Sequence, residues 1–232
     1  MSAHITLSSQ RHDWRTPGWF LELVRNVGPI VCDPASAPTN PTGAEAFFAP
    51  PDAEEPAPGW LGACGLSGVW PDQGLNYINP RYGPFLSGPV APSRVVWRQS
   101  RETGGRRPIG IGTGWAARIA AHEGEALALV PARTGSRWWR TLRAWCDWCV
   151  LWSSPVYGAR INFIDPETGE VARGSNLDSS VFYRGPRRRR FRAVFAPHGE
   201  LICGSATLAA LEHRRRPRRR CDEDLQLTLG GP

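Results

Sequence analysis

The chain has 232 residues, 41% of them apolar, with 11 Trp and a formal net charge of +7. That is enough for one α/β domain with extensions, and no run of about 18 apolar residues is present to cross a membrane. The N-terminus has no basic region followed by an apolar core, and the six Cys are scattered rather than dense; both point to a cytoplasmic protein with reduced thiols rather than a disulfide-stapled secreted one. All 28 basic residues are Arg. The charge favours an anionic partner, and Arg makes forked contacts to phosphate and guanine.

Residues 1–13 read as an irregular polar arm. Thr16 followed by Pro17 reads as the cap and first position of a helix, with apolar residues at 19, 20, 23, 24 and 27 on one face. Ile30 to Cys32 is a short buried strand ending in Asp33-Pro34-Ala35. In doubly wound sheets, ligands sit at the carboxyl ends of strands, where small residues allow close approach and an Asp can accept from an amine or hydroxyl. An Asp capping a loop is the plainer alternative. Residues 38–74 are rich in Pro, Ala and Gly and read as loop with at most one short helix.

Leu75-Asn76-Tyr77-Ile78 reads as a strand running into Asn79-Pro80-Arg81-Tyr82-Gly83. The amide oxygen of an Asn and the carbonyl oxygen of the following residue can both accept from one exocyclic amino group. Pro fixes φ and aims that carbonyl, and an aromatic ring offers a flipped base a surface to stack on. The competing interpretation is an ordinary Pro-Gly turn.

Residues 84–112, with Pro, Gly and Arg interleaved, read as an inserted basic loop that could contact DNA or simply be a solvated linker. Thr113–Glu123 reads as an amphipathic helix and Glu125–Val130 as a buried strand. The strand leads into an Arg-bearing turn, Pro131 to Arg137, where Thr134 or Ser136 can cap a helix running from Trp138 to about Cys149. Cys146 and Cys149 form a CxxC on that helix, read as structural thiols because no partner pair is spaced for a metal. Residues 156–164 alternate like a strand and, with Val181–Tyr183, could form an antiparallel edge. Phe191 to Leu201 suggests a hairpin and Ala206 to Glu212 a short helix. Arg187–Arg190 with Arg192, and Arg214–Arg216 with Arg218–Arg220, are basic clusters whose pull on DNA would be sequence-independent and salt-sensitive.

One family shows a similar ordered set of residues. Thr16-Pro17, Asp33-Pro34-Ala35, Asn40, Gly65-Leu66 with Trp70, and Asn79-Pro80-x-Tyr82-Gly83 come first. Leu129-Val130-Pro131-Ala132-Arg133-Thr134 with Trp138-Trp139, and Gly158-Ala159-Arg160-Ile161-Asn162-Phe163, complete the set. The chain resembles the phage-type DNA N6-adenine methyltransferases, the Dam-like family of bacteriophages and prophages, over roughly residues 14–185.

The resemblance implies a Rossmann-like S-adenosylmethionine-dependent methyltransferase fold. Its sheet would be mostly parallel with an antiparallel edge, followed by an arginine-rich extension over 186–232. It implies double-stranded DNA as substrate, with the target base flipped out, and an enzyme of phage or prophage origin acting in the host cytoplasm. Trp14, Thr16 and Pro17 would close over the methionine part of the cofactor, and Asp33, Pro34, Ala35 and Asn79 would form the rest of its site. Asn79 and Pro80 would accept from adenine N6 and Tyr82 would stack on the base. Arg81, Arg133, Arg137 and Arg187, Arg188, Arg189 and Arg190 would contact DNA; no metal is required. Arg81 stands where the family usually has Pro. N4-cytosine methylation asks for the same donor geometry and remains open, as does a non-catalytic arginine-rich DNA-binding relic. Cytosine C5 methylation would need a nucleophilic Cys, commonly after Pro, and the chain has no Pro-Cys. A generic nucleotide-binding Rossmann enzyme is disfavoured by the absence of Gly-x-Gly-x-x-Gly.

Overall fold

Strand β1 (Ile30–Asp33) is the line from which the sheet is laid out in both directions. The computed structural model describes residues 14–50, 57–80, 97–99, 106–108, 111–171 and 178–204. On one side of β1 lie β2 (Ala46–Phe48) and then β3 (Trp60–Gly62). On the other lie β4 (Leu75–Ile78) and, directly beside it, β7 (Ala126–Pro131); β5 (Trp97–Gln99) and β6 (Arg106–Pro108) form a separate antiparallel pair. Among themselves these five strands of the main sheet pair in parallel. Three further strands extend the sheet past β7: β8 (Trp148–Trp152), β9 (Ser179–Arg184) and β10 (Gly199–Cys203). The order is β3-β2-β1-β4-β7-β9-β8-β10, with β9 antiparallel to both β7 and β8, and β10 antiparallel to β8.

Parallel strands are buried on both faces and need helices to cover them. Alternate residues of the strands divide accordingly. Tyr77, Leu127, Leu129, Val181 and Tyr183 pack with Phe20 and Val24 of α1 (Gly18–Val27) and Phe191 and Phe195 of α4 (Arg188–Phe195). Ile78, Ala126, Ala128, Val130 and Phe182 pack on the other face with Trp115 and Ile119 of α2 (Ile111–Ala120) and Trp139 and Leu142 of α3 (Arg137–Trp145). The result is a mixed α/β fold with helices on both faces of a mostly parallel sheet, compatible with the expected Rossmann-like class. Among the described residues no helix is long and apolar enough to cross a membrane.

Several expectations are corrected. The stretch 38–74 contributes β2 and β3, each only three residues, too short to show alternation. The helix from Trp138 stops at Trp145, because Cys146 is already extended and the Asp147 N–H bonds to Tyr183 O, drawing the chain into the sheet. Cys149 is therefore in strand β8 and not on a helix with Cys146. Residues 156–164 form turns and isolated bridges rather than a strand; Ile164 pairs with Arg15 instead. β9 pairs with β7 and β8, and the sheet's edge on that side is β10. Where a hairpin was expected over 191–201 the chain forms α4, a 3-10 turn Ala196–His198 and β10. Apolar spacing misleads there because Phe191 and Phe195 lie four apart on one helical face. The α/β unit thus continues past 185. Within 84–112 the described parts are β5, β6 and the start of α2; the arm 1–13, the helix at 206–212 and the arginines at 214–220 lie outside the described residues.

Because Phe191 and Phe195 are fully buried and β10 pairs along the whole of β8, a chain ended at Gly185 is expected to lose cooperative unfolding. Phe191→Ala in the full chain is expected to cost about 3–5 kcal/mol. Urea denaturation followed by Trp fluorescence checks both.

Candidate functional site at the switch point of the sheet

From β1 the chain proceeds outward to β2 and β3, then returns to β4 on the opposite side of β1. Ligands of open α/β sheets bind at such a reversal, outside the carboxyl ends of the strands. β1, β4 and β7 are mutually parallel, so their carboxyl ends share one edge. That edge receives Asp33-Pro34-Ala35 from β1, Asn79-Pro80 from β4 and the Ala132–Ser136 turn from β7. Three of the segments singled out in the sequence therefore converge, although 33 and 133 are a hundred positions apart.

Thr16 joins them. It does not cap α1, whose N-cap is Pro17 with no side-chain cap bond. Instead the Asn79 Nδ2 donates to Thr16 Oγ1 at 3.0 Å, and Thr16 Oγ1 lies 2.9 Å from Tyr77 Oη in a hydroxyl–hydroxyl hydrogen bond. Thr16 is held in place by its neighbour, since Arg15 and Ile164 exchange both backbone hydrogen bonds at 2.9 Å. The segment before Ile164 is anchored by Ile161, which is fully buried, and Phe163, packed on the core. Gly158 to Phe163 therefore serves to pin the Thr16 segment. Trp14 is half-buried just before it, and Pro17 and Pro80 are buried. Tyr77 was not predicted as a site residue; its only sequence signal was its place on the strand before Asn79.

The Asp33 carboxylate turns into its own loop. Oδ1 accepts from Ala35 N–H at 3.0 Å and Oδ2 from the Thr42 hydroxyl at 2.9 Å. Asn40, at φ 47°, closes the same loop through both its amide nitrogen and oxygen to Ala44. Gly65 lies against Pro34: a Cβ there would stand 2.0 Å from the Pro34 carbonyl oxygen, so only Gly allows this approach. Trp70 Nε1 donates to Gly65 O at 2.7 Å, and Arg118 lies over the Trp70 ring. Asp33 thus shapes the loop and, with both oxygens engaged, is a positioning group here. Burial pushes its carboxyl up to about 6, partly offset by the hydrogen bonds from Ala35 and Thr42.

The arginines divide between the two ends of the sheet. Arg133 is exposed in the turn after β7, and Arg137 is exposed on the first turn of α3, which Ser136 Oγ caps by accepting from Trp139 N–H. Both stand at the Asn79 edge. Arg187–Arg190 follow β9, whose last residue Arg184 pairs with Ala126 at the start of β7, so they lie at the opposite end. Two of them bind buried carboxylates: Arg187 Nη1 to Glu125 Oε2 at 2.5 Å and Arg188 Nε to Asp147 Oδ2 at 3.0 Å. Arg190 Nε donates to Asn26 O at 2.6 Å. The four are not brought together with Asn79: the antiparallel course of β9 puts them at the other end of the sheet from Arg133 and Arg137. Arg81 and Tyr82 lie outside the described residues.

Arg15 Nε is buried without a hydrogen-bond partner among the described residues, one position from Thr16. Among the described residues no group of three or more His, Cys, Asp or Glu is arranged to hold a metal. Compared with protein-family models and with curated proteins, the chain matches none.

For Asp33 the folded value of about 6 lies above the unfolded value of about 3.9. The folded state holds the proton more tightly, so this contribution to stability is present below about pH 4 and is lost as pH rises through about 6. Asp33→Asn is expected to remove that slope. Wild-type stability should fall relative to the variant by on the order of 3 kcal/mol across this window, read from urea midpoints at a series of pH values.

Proposed function

We propose that the chain is a DNA methyltransferase that uses S-adenosylmethionine to methylate adenine N6. The observation that carries this is the exit of Asn79-Pro80 from β4 at the switch point, beside the Asp33 loop, with the Asn79 amide nitrogen already engaged by Thr16. Trp14, Thr16 and Pro17, with the Asp33-Pro34-Ala35 turn, would hold the cofactor. When bound, that group supplies an electrophilic methyl on a sulfonium.

The protein's own part is to make a poor nucleophile competent. The N6 lone pair of adenine is delocalised into the ring. Asn79 Oδ1 and the Pro80 carbonyl accept the two N6 hydrogens, which favours a tetrahedral nitrogen and stabilises the positive charge that develops there. Tyr82 supplies the stacking surface for the flipped base. Holding the nitrogen at near-attack distance allows direct in-line transfer without a covalent enzyme intermediate. Arg133 and Arg137 present their charge at this edge and serve the phosphates; Arg187 and Arg188 serve the fold.

The decisive assay incubates the protein with unmethylated DNA and labelled S-adenosylmethionine, then identifies nucleosides by mass spectrometry. N6-methyladenine is expected. N4-methylcytosine would keep the site and change the base. Neither product, together with no cofactor binding, would leave a DNA-binding relic as the better account. Asn79→Ala is expected to abolish transfer while cofactor binding, measured by calorimetry, stays within about threefold, since the change deletes one side chain at the acceptor end.

The two arginine sets are expected to separate in a salt titration. Arg133→Ala with Arg137→Ala should lower the slope of log K against log salt by about 2, one unit for each phosphate no longer neutralised. Arg189→Ala, at the far end of the sheet, should leave it unchanged. Fluorescence anisotropy with a duplex oligonucleotide checks this.

A further inference from the structure

We propose that Thr16 and Tyr77 are positioning residues that set which end of the Asn79 amide faces the substrate; this rests on the methyl-transfer function proposed above. The two ends of an Asn amide have nearly the same shape, but only the oxygen can accept amino hydrogens. With the amide reversed, two N–H donors would meet two N–H donors. Something must therefore select the orientation before substrate arrives.

A hydroxyl beside the amide is not sufficient by itself. It could accept from Nδ2 or donate to Oδ1 with equal ease. Thr16 Oγ1 carries one proton and has two neighbours, Asn79 Nδ2 at 3.0 Å and Tyr77 Oη at 2.9 Å. Either hydroxyl can donate in the Thr16–Tyr77 bond; in the arrangement in which Thr16 donates to Tyr77 Oη, Thr16 offers Asn79 only lone pairs. The amide nitrogen then stays on Thr16 and the oxygen is directed away from it. Tyr77 suits this task because its ring is fully buried on the α1 face of β4, so its oxygen cannot exchange Thr16 for bulk water. The Arg15–Ile164 pairing fixes Thr16 from the other side.

The test uses Thr16→Val, Thr16→Ser and Tyr77→Phe in the full chain, with two readouts. The first is hydrogen exchange of the Asn79 side-chain amide by NMR, its signals assigned by their loss in Asn79→Ala. Thr16→Val and Tyr77→Phe are expected to speed this exchange about tenfold, the effect of one net hydrogen bond, while Thr16→Ser, which keeps the hydroxyl, restores protection. The second is steady-state methyl transfer: the same two variants should lower kcat about tenfold with KM for DNA little changed, and Thr16→Ser should recover kcat. A change confined to melting temperature, with amide exchange as in the wild type, would overturn the proposal. If exchange responds as expected but the wild type transfers no methyl group, the positioning device stands and the methyltransferase function falls. If the wild type is active and both hydroxyl deletions leave exchange and kcat unchanged, the positioning role falls and the function stands.

Discussion

The parallel pairing of β1 with β4 is the constraint on which the rest of the structure depends. It places the exits of two strands side by side at the point where the chain reverses its direction of winding. In open α/β sheets the crevice at such a point is a consequence of connectivity, because the loops leaving the two strands part to opposite sides. Polar side chains gathered there are then held by short hydrogen bonds across long sequence separations, as Thr16 to Asn79 and Thr16 to Tyr77 are.

The opposite end of the sheet is closed by charge. Glu125 is buried and accepts from Tyr183 Oη at 2.6 Å and from Arg187, whose own N–H donates to the same Tyr183 oxygen at 2.8 Å. Asp147 accepts from Gly185 N–H and pairs with Arg188. Each buried carboxylate is thus matched by an arginine, since leaving either unpaired inside the protein would cost far more than the pair contributes. Tyr183 stacks on Phe191 at 4.7 Å, which joins this end to α4. The guanidinium of Arg192 covers the ring of Trp148. An arginine run that reads as a solvated or DNA-facing cluster is in large part a fastening for the last helix and strand.

The sequence was most legible where a signal is local. β1, β4 and β7 are apolar runs bounded by turns, and their limits were recovered to within a residue or two. A helix cap at Thr134 or Ser136 was readable from the sequence before Trp138, and the structure uses Ser136. Legibility failed where two periodicities compete. Trp138 to Trp152 is rich in apolar residues throughout, and nothing local marks the change from helix to strand between Trp145 and Trp148; the backbone bond from Asp147 to Tyr183 makes that decision. β2 and β3 are visible only as additions to a sheet already formed. Thr16-Pro17 has the composition of a helix start, and its composition could not reveal that the hydroxyl would be drawn to Asn79.

The sequence by itself determined the chemistry on offer: an Asn-Pro after a short strand, an Asp-Pro-Ala after another, arginine in place of every lysine, and apolar strands suited to burial on both faces. These follow from residue type and short-range spacing. Tertiary structure alone decided which of these groups meet. It brought Thr16 and Tyr77 to Asn79, turned Asp33 into its own loop, and sent Arg187–Arg190 to the far end of the sheet from Arg133. The physical reason is strand direction: β9 runs antiparallel to β7, and that choice is made by pairing between segments some fifty positions apart, which no local pattern records.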